Sequence, residues 1–326
     1  MSKHAEERAM EKAANVAMHG HGAEYWQRLG RAILRDKWLY LLLLPGLVYF
    51  ALFKYLPMWG IVMGVENYSP IKGPFQSEWV GLKWFTYFFK TKTWTRYLSN
   101  TLILSLMNIV FFFPAPIILA LLLNEMQSLH YKKALQTCLY IPHFISIVIV
   151  VSITYVIFGS SGIVYKLTEM VLGHPINYLN DPACFRWMII GQTIWKETGW
   201  GTIIFLAALT SVDTQLYEAA MVDGAGRFKR LWHITLPSIR STIVLLLILR
   251  MGSVLDTGYD HLILMSNAMN RSISQTLDVF VYNTGLGAGG QYSYATAVGL
   301  MKAVISVTLV VSTNKLSHAL GESGLY

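Results

Sequence analysis

The stretch that decides the fold covers residues 216–239 and reads LYEAAMVDGAGRFKRLWHITLPSI. Gly224 and Gly226 permit the backbone conformations that a sharp turn requires, so they divide the stretch into two parts. The first part has the pattern of a short helix. The second part predicts a basic amphipathic helix that ends at Leu236 and Pro237, because proline interrupts helical hydrogen bonding.

The first of these two helices carries a surface that suits contact with another protein. Ala219 and Ala220 have small side chains that project little from the helix, so the backbone of a partner can approach closely. Glu218 and Asp223 place carboxylates at its rim, where they can meet basic side chains of a partner. The sequence therefore predicts a docking element in this stretch.

Long apolar runs surround the docking element on both sides. The chain has 326 residues, of which 54% are apolar and 13% are charged, whereas soluble globular proteins carry about a quarter charged residues. A helix needs roughly 20 mostly apolar residues to cross the hydrocarbon core of a bilayer. Six segments meet this requirement: 38–55, 100–123, 135–158, 187–210, 242–261 and 294–312.

The predicted fold class is therefore an all-α integral membrane protein with about six transmembrane helices. The docking element lies in a loop, 211–241, between the fourth and fifth spans. Residues 1–37 form a polar N-terminal arm, and residues 38–326 form the transmembrane domain.

The distribution of basic residues predicts the orientation in the membrane. If the N-terminus is cytoplasmic, the inner segments hold 14 Lys and Arg residues and the outer loops hold 8. Cytoplasmic flanks are enriched in these residues, so both termini and the loop 211–241 are predicted to be cytoplasmic. The same enrichment explains the net charge of +8, and no basic stripe with interleaved aromatics points to nucleic acid.

The motifs of enzyme chemistry are missing from the sequence. GLGAGG at 285–290 follows no predicted strand, so it does not predict a dinucleotide site, and no phosphate-binding P-loop occurs. His130, His143 and His233 are isolated and lack the spacing of metal ligands. The two cysteines predict neither a disulfide framework nor a metal site. We therefore expect no catalytic residues, no metal site and no cofactor bound by this chain itself.

The docking element resembles the EAA loop of type I ABC importer permeases. EAA at 218–220, DGA at 223–225 and ITLP at 234–237 match its motif and spacing. In that family the loop forms a coupling helix that docks into a cleft of a cytoplasmic ATPase. The resemblance implies that Glu218 pairs with the ATPase and that Gly224 makes the turn. The implied ATPase-coupling residues are Glu218, Ala219, Ala220, Asp223, Gly224, Leu236 and Pro237.

Further stretches resemble the branch of the family that carries polysaccharides and oligosaccharides, alginate in one case. They are WKETGWG at 195–201, LAAL at 206–209, ILRMG at 248–252, YSYATAVGL at 292–300 and GESGLY at 321–326. The resemblance implies a location in the bacterial inner membrane and an alginate importer subunit as one candidate. It also implies three protein partners: a homologous second permease, a dimer of ATPase subunits that binds ATP and Mg²⁺, and an extracytoplasmic solute-binding protein.

The fourth span carries polar residues that are costly inside a bilayer and that usually face a pore or a partner. Gln192, Lys196 and Trp200 share one face at helical spacing. Polar groups flanked by indole rings suit sugars, whose hydroxyls form hydrogen bonds and whose C–H faces stack on rings. Alternatively, the charged pair at 196 and 197 satisfies partners between helices. The predicted substrate-pathway residues are Gln192, Trp195, Lys196, Glu197, Trp200 and Asp256.

Two alternative functions stay open at this point. An EAA loop does not by itself select the cargo, so amino acids or peptides are a second substrate class. An ATP-independent secondary transporter would also contain charges within the membrane, but it would have no use for an ATPase-docking loop.

Overall fold

The computed structural model describes Trp26, residues 34–74, 76–287 and 289–319, and Gly321 and Gly324. Most of the predicted arm 1–37 and most of the motif at 321–326 lie outside these residues. Within the described part nearly every element is a helix, and two short strands, β1 (Glu66–Asn67) and β2 (Glu78–Trp79), pair antiparallel. The prediction of an all-α fold is confirmed.

The chain divides into two units, residues 1–60 and 61–326. In the first unit, α1 (Lys37–Phe50) continues into a π-helical turn (Ala51–Tyr55). Its sequence is apolar on every side, which is typical of a helix in contact with lipid. A 3₁₀ segment (Leu56–Val65) runs across the boundary between the units.

The second unit holds the remaining helices of the described residues. They are α2 (Lys83–Lys90), α3 (Trp94–Met107), α4 (Pro114–Asn124), α5 (Leu129–Tyr140), α6 (Ile147–Phe158), α7 (Ile163–Leu172), α8 (Pro182–Thr210), α9 (Thr214–Val222), α10 (Arg227–Arg230), α11 (Leu236–Ser238), α12 (Arg240–Gly252), α13 (Tyr259–Met265), α14 (Arg271–Ser274), α15 (Leu277–Gly285) and α16 (Tyr292–Ala319). π-Helical turns join α3 to α4 (Asn108–Phe112) and α10 to α11 (Leu231–Thr235), and a 3₁₀ turn follows α5 (Ile141–Phe144).

Four helical stretches of the described chain are long and apolar enough to cross a membrane. They are Lys37–Val65, Trp94–Asn124, Ile147–Leu172 and Tyr292–Ala319. A fifth arises if Arg227–Ser238 and Arg240–Gly252, which meet at a bend of 58°, form one span. The remaining predicted span coincides with α8, whose 29 residues make it about 44 Å long. This helix contains Arg186, Lys196 and Glu197, so it is less apolar than the others although it is long enough to cross.

Two predicted spans each have one wrong boundary. The segment 135–158 is not one helix, because α5 ends at Tyr140 and Pro142 lies in the 3₁₀ turn before α6. Proline lacks the N–H that a continuing helix needs, and it clashes with the preceding turn. The segment 242–261 is also interrupted, because α12 ends at Gly252 and Gly258 adopts a φ of 73° before α13 begins.

Helix α8 lies at the centre of the second unit and organises its core. Near its C-terminus, Phe205 and Leu209 pack with Ala120 and Leu123 of α4 and with Ile239. Near its N-terminus, Phe185 and Ile189 pack in a second buried cluster with Leu104, Val151, Leu262 and Met265. The polar residues of α8 therefore lie between two apolar contacts that fix the helix along its length.

Candidate functional site

The docking element has the predicted form of a helix, a glycine turn and a second helix. The carboxylate of Asp213 accepts a hydrogen bond from the Gln215 N–H at 2.9 Å and caps the start of α9. At its end, Gly224 has a φ of 73°, and the N–H groups of Gly224 and Ala225 donate to the carbonyls of Met221 and Ala220. This pair of bonds is the Schellman arrangement, which requires the left-handed conformation that glycine adopts without strain. Helix α11 ends at Ser238, one residue beyond Pro237.

The predicted contact residues of α9 lie on an accessible surface. Glu218, Ala219 and Asp223 are exposed, and Ala220 is half-buried. The hydroxyl groups of Tyr217 and Thr235 lie 3.0 Å apart, so the two helices are linked across the turn. The sequence did not predict this link, which fixes the angle at which the helix is presented. Of the two later coupling residues, Leu236 is half-buried and Pro237 is exposed.

Replacing Gly224 by alanine is expected to weaken the turn, because alanine in the left-handed region costs about 1–2 kcal/mol. The space around the missing side chain is open, so only the backbone conformation opposes the change. Gly226 provides the matched control, since its φ is −67° and its surroundings are also open. The coupling role that the resemblance to the EAA loop implies predicts that ATP hydrolysis by the partner ATPase falls several-fold in G224A and matches wild type in G226A, measured in proteoliposomes. Equal activity of the two variants would contradict a role for the turn.

Four of the six predicted pathway residues surround one polar cavity of about 250 Å³. Gln192, Lys196 and Glu197 of α8 face Asp256 across it. Its other polar walls are Asn108, Thr193, Arg250, Thr257, Asp260 and His261. Trp195 and Trp200 do not line this cavity. Trp195 borders an apolar cavity of about 610 Å³, and Gln192 is the residue that borders both cavities.

The charged pair on α8 is held by His143, a histidine that is isolated in the sequence. Lys196 Nζ donates to the His143 carbonyl at 2.5 Å and lies 3.2 Å from Glu197 Oε1. His143 Nδ1 lies 2.7 Å from Glu197 Oε2, and its ring stacks on Trp200 with 4.5 Å between ring centroids. Lys196 and Glu197 thus satisfy partners between helices while they also border the cavity.

Two further polar clusters fix the opposite wall. Lys302 of α16 forms an ion pair with Asp256 at 2.5 Å and another with Asp278. His261 Nε2 donates to Gln192 Oε1, and Gln192 Nε2 donates to Thr154 Oγ1 at 2.5 Å. Lys302 and His261 were not predicted from the sequence as residues of this site. A lysine inside a long apolar helix was the available clue, since such a charge requires a partner.

Among the described residues, Arg250 is the cavity cation with the fewest protein partners. Its Nη2 donates a long bond of 3.5 Å to Asn108 Oδ1, and it lies over the Phe112 ring at 5.5 Å. Its Nε is buried and has no hydrogen-bond partner among the described residues. The guanidinium group therefore retains donors that a ligand in the cavity can use.

Residues 84–321 match the family of binding-protein-dependent transport system inner membrane components. The chain belongs to this family. Protein LplB of Bacillus subtilis (strain 168) is 53% identical to this permease over 296 residues, which cover 90% of this chain and 93% of that protein. The polygalacturonan/rhamnogalacturonan transport system permease protein YteP of the same strain is 50% identical over 301 residues, covering 92% and 94%.

A solved structure gives the same result. A chain in the crystal structure of a bacterial alginate ABC transporter, in complex with alginate pentasaccharide-bound periplasmic protein, aligns with a TM-score of 0.82 and 37% identity. The alignment covers 91% of this permease and 100% of that chain. The resemblance to type I ABC permeases is thereby confirmed, and the permease is a transport component of the inner membrane.

Proposed function

We propose that this permease is a subunit of an ATP-driven importer that moves sugars, oligosaccharides or polysaccharide across the bacterial inner membrane by alternating access. The observation that carries the proposal is the connection of the polar cavity to the docking element by one helix. Lys196 lies 14 residues before the end of α8, which is about 21 Å along the helix axis. Residues 211–213 then lead directly into α9.

The partners in this proposal follow from the docking element and from the relatives. A homologous second permease completes the pathway, two ATPase subunits bind ATP and Mg²⁺ on the cytoplasmic side, and a solute-binding protein delivers the cargo from outside. Both termini and the loop 211–241 are cytoplasmic, with residues 1–37 as a polar arm and 38–326 as the transmembrane domain.

The names of similar proteins bear on the cargo. One relative is named for polygalacturonan and rhamnogalacturonan, and a solved structure that this permease resembles belongs to a transporter for the acidic polysaccharide alginate. These names support a glycan as cargo over amino acids or peptides.

The mechanism requires the permease to bind its partners differently in two states. Closure of the ATPase dimer moves α9, and α8 transmits this displacement because it packs tightly against α4 at the end nearest the loop. A ligand or partner can shift a conformational equilibrium only by its difference in affinity for the two states. Glu218 and Asp223 provide the difference in affinity for the ATPase between the two states. The residues of the polar cavity provide the difference in affinity for the sugar.

Replacing Arg250 by methionine is expected to lower uptake of acidic oligosaccharides by about 10- to 100-fold. This loss corresponds to one hydrogen bond to a charged group, about 1.5–3 kcal/mol. The measurement is uptake of labelled oligogalacturonide or alginate oligosaccharide into proteoliposomes that contain the complete transporter. Arg271→Met is the matched control, because Arg271 is an exposed residue of α14 outside the cavity.

Comparable uptake by the two variants would show that Arg250 does not bind the transported oligosaccharide. The same proteoliposomes also test the cargo class. Uptake of amino acids or peptides with no uptake of glycans would overturn the proposed substrate while leaving the ATP-driven mechanism intact.

A further inference from the structure

A second large apolar groove lies along the second half of the docking element, away from the polar cavity. It has a volume of about 560 Å³ and lies between α4 and the segment 227–236. Ile118, Leu121 and Leu122 of α4 form one wall, and Leu231 and Leu236 form the other. Its size and composition suit a hydrocarbon chain rather than a sugar.

The mouth of this groove is charged. Arg227 and Glu125 both border it, both are exposed, and neither takes part in an ion pair with any described residue. Phe228 and Trp232 stand beside them with 81% and 65% of their surfaces exposed. Aromatic rings next to basic residues are typical of the boundary between hydrocarbon and lipid headgroups.

The segment that carries these residues has the geometry of an interfacial helix. Arg227–Ser238 meets the apolar helix Arg240–Gly252 at 58°, so it cannot follow the direction of that helix. Arg227, Lys229 and Arg230 make its first turn basic. Basic residues next to an apolar face attract anionic lipids, and basic pockets between helices on the cytoplasmic side hold their headgroups.

We propose that this groove is a binding site for an anionic phospholipid of the phosphatidylglycerol type. One acyl chain occupies the groove, and the phosphate pairs with Arg227. The hydroxyl groups of the glycerol headgroup donate to the Glu125 carboxylate, which explains an acidic residue at a site for an anion. This inference is independent of the transported substrate, because none of its residues borders the polar cavity.

Quenching of Trp232 fluorescence by lipids with brominated acyl chains tests the site directly. The complete transporter is reconstituted in nanodiscs with increasing fractions of brominated phosphatidylglycerol or brominated phosphatidylcholine. The same measurement on Trp232→Phe isolates the Trp232 contribution from the other nine tryptophans of the chain, which has 10. We expect half-maximal quenching at a several-fold lower fraction of phosphatidylglycerol than of phosphatidylcholine.

Charge variants assign the preference to the mouth of the groove. Arg227→Gln is expected to abolish the difference between the two lipids, and Arg227→Lys to retain most of it. Lys229→Gln removes the same charge from a neighbouring residue that does not line the groove, and it is expected to behave as wild type. Equal quenching by both lipids in the wild-type protein would overturn the proposal. Absence of quenching by either lipid would also overturn it, because a protein chain would then cover the groove.

Discussion

Replacing Glu218 by alanine is expected to lower sugar-stimulated ATP hydrolysis and uptake by at least tenfold. Glu218 is exposed on α9, and its carboxylate is available to a basic group of the ATPase. The loss of one charge-assisted bond at a docking contact is worth about 1.5–3 kcal/mol. The measurement compares hydrolysis and uptake in liposomes that contain both permeases, the ATPase and the solute-binding protein.

The control for this prediction is Glu169→Ala, which removes an exposed carboxylate from α7 and should leave both activities at the wild-type level. Co-purification of the ATPase separates weakened docking from loss of the permease itself. Undiminished transport by E218A would contradict the coupling role. Sugar movement in liposomes without any ATPase would go further and favour a secondary transporter.

The docking element could be predicted from the sequence because its structure is local. Its cap, its turn and its helices depend on residues within a few positions of one another, such as Asp213 with Gln215 and Gly224 with Met221. Glycine just after the end of a helix commonly adopts the left-handed conformation, whatever the fold. The ATPase-coupling assignment of these residues nevertheless stays a prediction, since it concerns a surface and its partner.

The polar cavity could be predicted only in part, because its walls come from distant segments. Gln192, Lys196 and Trp200 share one face of an ideal helix, but the neighbours of α8 change along its length. Gln192 meets His261, whereas Trp200 stacks on His143, so one face borders two environments. No local pattern connects these pairs, which are separated by 69 and 57 residues in the chain.

The interrupted helices show a further limit of predicting membrane spans from hydropathy alone. The run 135–158 is apolar enough for one span, yet Pro142 divides it into two helices. Pro114 and Pro116, by contrast, do not end their helical stretch, because the π-helical turn Asn108–Phe112 leads into α4 with Pro114 at its first position. The effect of a proline thus depends on the hydrogen bonding of the preceding turn.

Replacing Gly199 by alanine is expected to prevent stable folding of the permease. A Cβ atom at this position would lie 1.9 Å from the Leu139 carbonyl oxygen and 2.5 Å from its carbonyl carbon. These are backbone atoms, so no side chain can rotate away, and α5 and α8 must separate. Overpacking of a core usually costs about 1–3 kcal/mol, and a collision with backbone at this distance lies at or above the upper end of that range.

Gly191→Ala is the matched control for this substitution, because it adds the same methyl group to the same helix where nothing lies within 4 Å. Alanine favours a helix interior by up to about 1 kcal/mol over glycine, so G191A should be at least as stable as wild type. The measurement is the yield of monodisperse transporter together with its thermal denaturation. A wild-type denaturation temperature for G199A would show that α5 and α8 do not approach so closely.

The close approach also has a functional consequence, because the same end of α5 leads into the turn that places the His143 carbonyl 2.5 Å from Lys196 Nζ. Any G199A protein that still folds should therefore have lost this contact and, with it, the arrangement of the charged pair at the cavity.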